Sequence, residues 1–154
     1  MGTYIIFTRK GMVALLAATI AIVLICCEVF AASNTDVDAQ TNSDRITFIE
    51  NLGYELLSNE PSVKTVTIPE SFSDVYKDYN ALQRIAEYDL SAYKGCEVTI
   101  YTYSILPPES YSGECVFNMI VYNDRVIGGD VSSPSLGGFM LPIKSELKNE
   151  KAKT

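Results

Sequence analysis

The stretch "RKGMVALLAATIAIVLICCEVFAAS", Arg9 to Ser33, constrains this chain more than any other. Met12 to Cys27 carries no charge, and with Val29 to Ala32 the run reaches about 21 residues, broken only by Glu28, where a bilayer-spanning helix needs roughly 20. A core helix in so small a domain would keep a polar face, and this segment has none. Arg9 and Lys10 stand ahead of it; Glu28, Asp36 and Asp38 stand behind. The positive-inside rule therefore keeps the N-terminus in the cytoplasm and exports everything downstream. Two readings follow. One is a single-pass anchor over residues 11–32. The other is a signal peptide cleaved before Ala32, after the small residues of "VFA". The apolar core exceeds the ~7–15 residues usual for a signal segment, which favours the anchor. Residues 1–10 form the cytoplasmic end, 33–42 a polar linker, 43–142 one folded domain and 143–154 a charged tail.

Charge excludes one class of partner. The 154 residues hold 12 Lys and Arg against 19 Asp and Glu. Two of the basic residues precede the apolar block and no acidic one does, which leaves ten against nineteen, a net of −9, beyond it. Phosphates repel such a surface, so no nucleic-acid partner is expected. Histidine is absent altogether. That removes Ser-His-Asp and Cys-His dyads, imidazole bases and the commonest transition-metal ligand. Asp36-x-Asp38 resembles the start of a calcium loop, but Thr41 and Thr47 stand where such a loop needs Gly and Glu. No metal or cofactor is expected.

The domain reads as α+β: a long helix packed across a small antiparallel β-sheet, preceded by the transmembrane or signal helix. "NSDRITFIENLG" predicts a first helix capped by Ser43, with Ile46, Phe48, Ile49 and Leu52 on one face and Gly53 just past its end. "SVKTVTIP" alternates and stops at Pro69, as a strand does. "SFSDVYKDYNALQRIAEYDL" predicts the long helix, capped by Ser71 or Ser73. Its apolar stripe is Phe72, Val75, Tyr76, Tyr79, Leu82, Ile85 and Ala86; Lys77, Asp78, Asn80, Gln83, Arg84 and Glu87 fill the solvent face. Three strands follow in "CEVTIYTYSI", "ECVFNMIVY" and "RVIGGDV". Asn123-Asp124 makes the last hairpin's turn and sets Tyr122 opposite Arg125, Ile120 opposite Ile127 and Phe117 opposite Asp130. Cys96 and Cys115 each begin a strand of one antiparallel pair. They would stand on the order of 23 Å apart, beyond disulfide reach, as two buried free thiols.

Three places could carry chemistry. Ser91 to Lys94 spells S-x-x-K, but the S-D-N and K-T-G elements that accompany it in penicillin-recognising enzymes are missing, and it reads as a turn. Tyr101 and Tyr103 share one strand face, where they serve either core packing or, if exposed, a sugar or peptide surface. "RVIGGDVSSPSLGGFM" places Gly128-Gly129 within a strand, where a bulge or a close backbone approach accounts for them. Asp130, Ser132 and Ser133 follow. Asp130 could act as a lone general base with a serine or as one ligand of a weak Ca²⁺ site, though no acidic companion stands near it in sequence. The favoured reading, which needs nothing else from the sequence, is a buried carboxylate that pins the final turn by accepting bonds from the Ser132 and Ser133 hydroxyls or the Gly137-Gly138 amides.

In chain order, "SFSDVYKDYNALQ", "DLSAYKG", "VTIYTY", "VYNDRVIGGDVSS" and "GGFM" resemble an exported bacterial family classed as domain of unknown function 4830. The likeness spans Asp44 to Met140 and implies an extracytoplasmic domain behind an N-terminal apolar segment. Many members carry Cys after "GDV" and His after "GFM"; Ser132 and Leu141 stand there in this chain. The family brings no assigned activity. The expectation is a non-catalytic module displayed outside the cytoplasmic membrane, anchored through residues 11–32 and binding a protein, peptide or envelope ligand near Asp130, Ser132, Ser133, Tyr101 and Tyr103. The alternative is a small hydrolase with its site near Asp130 and Ser132.

Overall fold

Strand β3, Cys115–Tyr122, shows why this sheet is buried on both sides. Its odd residues Cys115, Phe117, Met119 and Val121 enter one apolar cluster, while Ile120 and Tyr122 enter a second. Successive side chains of a strand point to opposite faces, so an almost unbroken apolar run marks a strand covered above and below. The computed structural model describes residues 37–107 and 111–144. In it β1 (Ser62–Thr67), β2 (Glu97–Ile105), β3, β4 (Arg125–Ser132) and β5 (Met140–Pro142) form one antiparallel sheet in chain order. Helix α1 (Asn42–Asn51) precedes β1. Helix α2 (Asp74–Ile85) and a 3₁₀ turn (Leu90–Tyr93) lie between β1 and β2. The fold among the described residues is α+β, with five antiparallel strands and two α-helices. Among the described residues no helix is long and apolar enough to cross a membrane. The apolar segment 11–32, the first residues of the linker and the tail from residue 145 lie outside the described residues.

Helix α1 covers the first face. Phe48 and Ile49 pack with Tyr103, Phe117, Met119 and Val131. Phe117 is fully buried, with its ring edge-on to Phe48 at 6.4 Å and to Tyr54 at 5.4 Å. Burying such a side chain stabilises by roughly 1.5–3 kcal/mol. The cap differs from the expected Ser43. Thr41 accepts from the Asp44 amide while the Asp44 carboxylate accepts from the Thr41 N–H at 2.9 Å, a reciprocal capping box that a cap at Ser43 cannot form. Gly53 stands just past the helix with φ +80°, as its position predicts.

Helix α2 covers the second face, with Ser73 as its cap. Tyr76 and Tyr79 pack with Val98, Ile120 and Ile127. The expected division of its faces is corrected. Asn80 and Gln83, assigned to solvent, are buried, whereas Val75 and Ile85 of the supposed stripe are 81% and 69% exposed. Hydrogen bonds reverse the pattern. Asn80 Oδ1 accepts from the Leu90 N–H at 2.8 Å and Asn80 Nδ2 donates to Asp89, so this side chain fastens the 3₁₀ turn to the helix.

The last hairpin turns as expected through Asn123 and Asp124, with φ of 47° and 63°. Tyr122 pairs with Arg125, but the register then shifts. Val121 faces Val126 and Ile120 faces Gly128, so Ile127 is an extra residue in β4 and both expected pairings beyond the turn slip by one. Phe117 therefore faces Val131, and Asn118 faces Asp130. A bulge is invisible to simple alternation, because it keeps two neighbours, here Ile127 and Gly128, against one partner. The outer edge of β4 is closed in three pieces. Val37 to Ala39, expected in the linker, pair with its start through the Val126 N–H to Val37 carbonyl and the Ala39 N–H to Asp124 carbonyl. β5 pairs with its end. Between them the Gly129 N–H donates to Gln83 Oε1.

Candidate functional site

The register places Ser62, Thr102, Asn118, Asp130 and Pro142 in one row across all five strands. At its centre three polar side chains stand side by side on the face that α2 covers. Thr102 Oγ1 donates to Asn118 Oδ1 at 2.7 Å. Asn118 Nδ2 donates to Asp130 Oδ1 at 2.9 Å and to Ser132 Oγ at 3.2 Å. From α2, the Tyr79 hydroxyl donates to Asp130 Oδ2 at 2.9 Å. Asp130 is only 2% exposed, and both its oxygens are occupied. Burial first, then the Asp130 charge and the bond to it, hold the Tyr79 phenol well above its ordinary value. The hydroxyl therefore remains a donor across the physiological range, which is what a buried carboxylate requires.

The glycines beside Asp130 are explained by what their missing side chains would strike. A Cβ at Gly128 would lie 2.7 Å from Gln83 Oε1 and 3.2 Å from Leu90; one at Gly129 would lie 2.4 Å from the Asn118 carbonyl oxygen. Both glycines thus admit a close neighbour: the Gln83 carboxamide at one, the backbone of β3 at the other.

Of the residues singled out in the sequence, Asp130 and Ser132 are brought together on one face, joined through Asn118. The Asp130 partners differ from those expected. They are Tyr79 and Asn118, not the Ser132 or Ser133 hydroxyls or the Gly137-Gly138 amides. Ser133 is buried elsewhere, its hydroxyl 2.5 Å from that of Tyr111 and accepting from the Ser135 N–H at 3.3 Å. Tyr101 and Tyr103 line the opposite face. Tyr103 is fully buried; its hydroxyl accepts from Arg45 Nε at 3.1 Å and donates to Asn42 Oδ1 at 2.7 Å. The Arg45 guanidinium lies 3.9 Å over the Tyr101 ring and donates to the Ala39 carbonyl at 2.7 Å. The two tyrosines thus pack against and bond a buried cation, an arrangement the sequence does not signal. Asn118 did leave a signal, as the one amide in the apolar run "CVFNMIVY".

The arrangement bears on hydrolysis. A serine nucleophile needs a base within hydrogen-bond reach to take its proton. The neighbour of the Ser132 hydroxyl is the Asn118 amide nitrogen, a donor that cannot do so. Cys115 faces Ile105 at one end of the β2–β3 ladder, while Cys96 precedes β2 at the other; both are free, and Cys96 is half-buried rather than buried as expected. Among the described residues no group of three or more acidic, Cys or His side chains is placed to hold a metal ion. Ser132 and Leu141 point to opposite faces of the sheet, since Leu141 pairs with buried Val131 and Ser132 with Met140. Set against protein-family models, curated proteins and solved structures, the chain matches none.

Proposed function

We propose that this chain is an exported, membrane-anchored interaction module without catalytic activity, displaying its α+β domain outside the cytoplasmic membrane and binding a protein, peptide or envelope ligand. The observation that carries the non-catalytic part is the double occupation of the Asp130 carboxylate by Tyr79 and Asn118. A general base needs a lone pair facing substrate, and here both oxygens face protein. The uninterrupted apolar block behind Arg9 and Lys10, with acidic residues after it, supports the anchor and its orientation. The resemblance to the exported bacterial family supports the same address. An acidic domain without histidine speaks against nucleic acid as the ligand.

The reading is tested on the full-length chain with Asp130→Asn and Ser132→Ala variants, assayed against ester, amide and glycoside substrates alongside their melting temperatures. No turnover by any chain, with a lowered melting temperature for Asp130→Asn, is the expected result. Turnover by the native chain that disappears in either variant, with melting unchanged, would establish the hydrolase instead.

A further inference from the structure

We infer that the outer edge of β1 is a docking strand for an extended, cationic segment of a partner protein, which would add to the sheet as a sixth strand. The inference rests on the interaction-module reading and names its surface. The Ile68 N–H donates to the Cys96 carbonyl and the Gly95 N–H to the Ile68 carbonyl, so residue 68 turns its backbone toward β2. Alternation then directs the backbones of Val66, Lys64 and Ser62 to β2, and those of Val63, Thr65 and Thr67 outward. β1 is the terminal strand of the sheet, and among the described residues no backbone bond reaches that outer row. All of Ser62–Thr67 except Val66 is exposed, and Val63 is 59% exposed. A row of unpaired N–H and C=O groups on a regular strand is a ready template for strand addition.

The opposite edge is treated differently. β5 is three residues long and ends in Pro142, and the rest of β4 is closed by Val37 to Ala39 and by Gln83. β1 has no proline within it, no bulge, and one lysine.

Charge selects the occupant. Glu60 and Glu70 flank β1 and Glu97 faces Thr67, all of them exposed. A second copy of this chain is the wrong partner. Antiparallel self-pairing that matches the outward row of one copy with that of the other centres on Thr65, and it brings Glu60 of each copy level with Glu70 of the other. Like charges so opposed destabilise a strand pair. A segment of β-forming residues with Lys or Arg toward its ends places opposite charges there instead.

The test uses the full-length chain in detergent micelles and a dye-labelled synthetic peptide of Thr-Val repeats with lysine at each end, followed by fluorescence anisotropy. A peptide ending in glutamate serves as comparison. Thr65→Pro removes one outward N–H and leaves the ladder to β2 intact. The Glu60→Lys/Glu70→Lys double variant reverses two exposed charges and keeps every backbone group of β1, with its melting temperature as the check on the Glu70 packing against Gly95. The lysine-ended peptide is expected to bind, with affinity reduced by about tenfold in Thr65→Pro and by a similar factor in the double variant or on exchange of lysine for glutamate. Unchanged binding by Thr65→Pro at an unchanged melting temperature would overturn the inference, as would equal binding of both peptides. A concentration-dependent dimer abolished by Thr65→Pro would assign the edge to a second copy and also overturn it. Failure of the lysine-ended peptide to bind removes the docking strand, while the proposed function still stands or falls on turnover and topology.

Discussion

The Gln83 carboxamide oxygen accepts the Gly129 N–H at 2.7 Å, so a side chain of α2 stands where β4 has no neighbouring strand. Fully buried, Gln83 ties the helix to the sheet at the point where the bulge leaves a backbone donor uncovered. The two glycines leave room for this clasp and for β3 beside it.

The clasp predicts an order of damage. Gln83→Ala strands the buried Gly129 donor and opens a cavity, which should cost about 1–3 kcal/mol. Gly129→Ala sets its Cβ against the backbone oxygen of Asn118, which cannot move without breaking β3 pairing, so its cost should equal or exceed that. Gly128→Ala presses on the Gln83 oxygen itself and on Leu90, so it should disturb the same clasp and cost about as much as Gln83→Ala. Thermal unfolding reads the series directly, at about 4–8 °C per kcal/mol for a domain of about 100 residues.

The Tyr79 phenol predicts an alkaline effect. An unfolded chain ionises this tyrosine near pH 10, whereas in the fold burial and Asp130 keep it protonated to higher pH. Above about pH 10 the unfolded state therefore binds fewer protons, and stability falls as pH rises. The Tyr79 contribution is complete below that pH and is lost progressively above it. Urea midpoints of the native chain should thus exceed those of Tyr79→Phe at neutral pH, and the gap should narrow above about pH 10. A gap that stays constant would deny the tyrosine this role.

Asp89 predicts the acid limb. Hydrogen bonds from Ser91 and the Asn80 amide, with Arg84 beside them, hold its carboxyl well below the usual carboxylate range. Its contribution is present above the unfolded value of about 4 and fades as pH falls below it. Asp89→Asn should flatten the acid side of the stability profile, and hydrogen exchange at Leu90 and Ser91 should quicken in the variant.

How much of this was legible in the sequence differs from element to element. The Asn123-Asp124 turn announces itself, because both residues accept positive φ and apolar strands flank them. Thr41 as cap was hidden by Ser43, an equally good cap two residues on. The buried face of α2 misled because Asn80 and Gln83 are polar. They are inside to satisfy the Leu90 and Gly129 amides, needs that arise only once the 3₁₀ turn and the bulge exist. Asp130 was readable as a buried, hydrogen-bonded carboxylate from its place after two glycines. Its partners were not, since Asn118 comes level with it only when Ile127 is counted as the extra residue.

Export is the premise on which the interaction-module reading rests, and topology tests it most directly. Leu136 sits fully exposed in the β4–β5 connection, so Leu136→Cys, with Cys26, Cys27 and Cys96 changed to Ser, offers one accessible thiol on the domain. A membrane-impermeant maleimide applied to intact cells should label this cysteine as fully as it does after lysis, on a full-length chain that stays with the membrane fraction. Labelling only after lysis, with the chain in the soluble cytosolic fraction, would contradict the account.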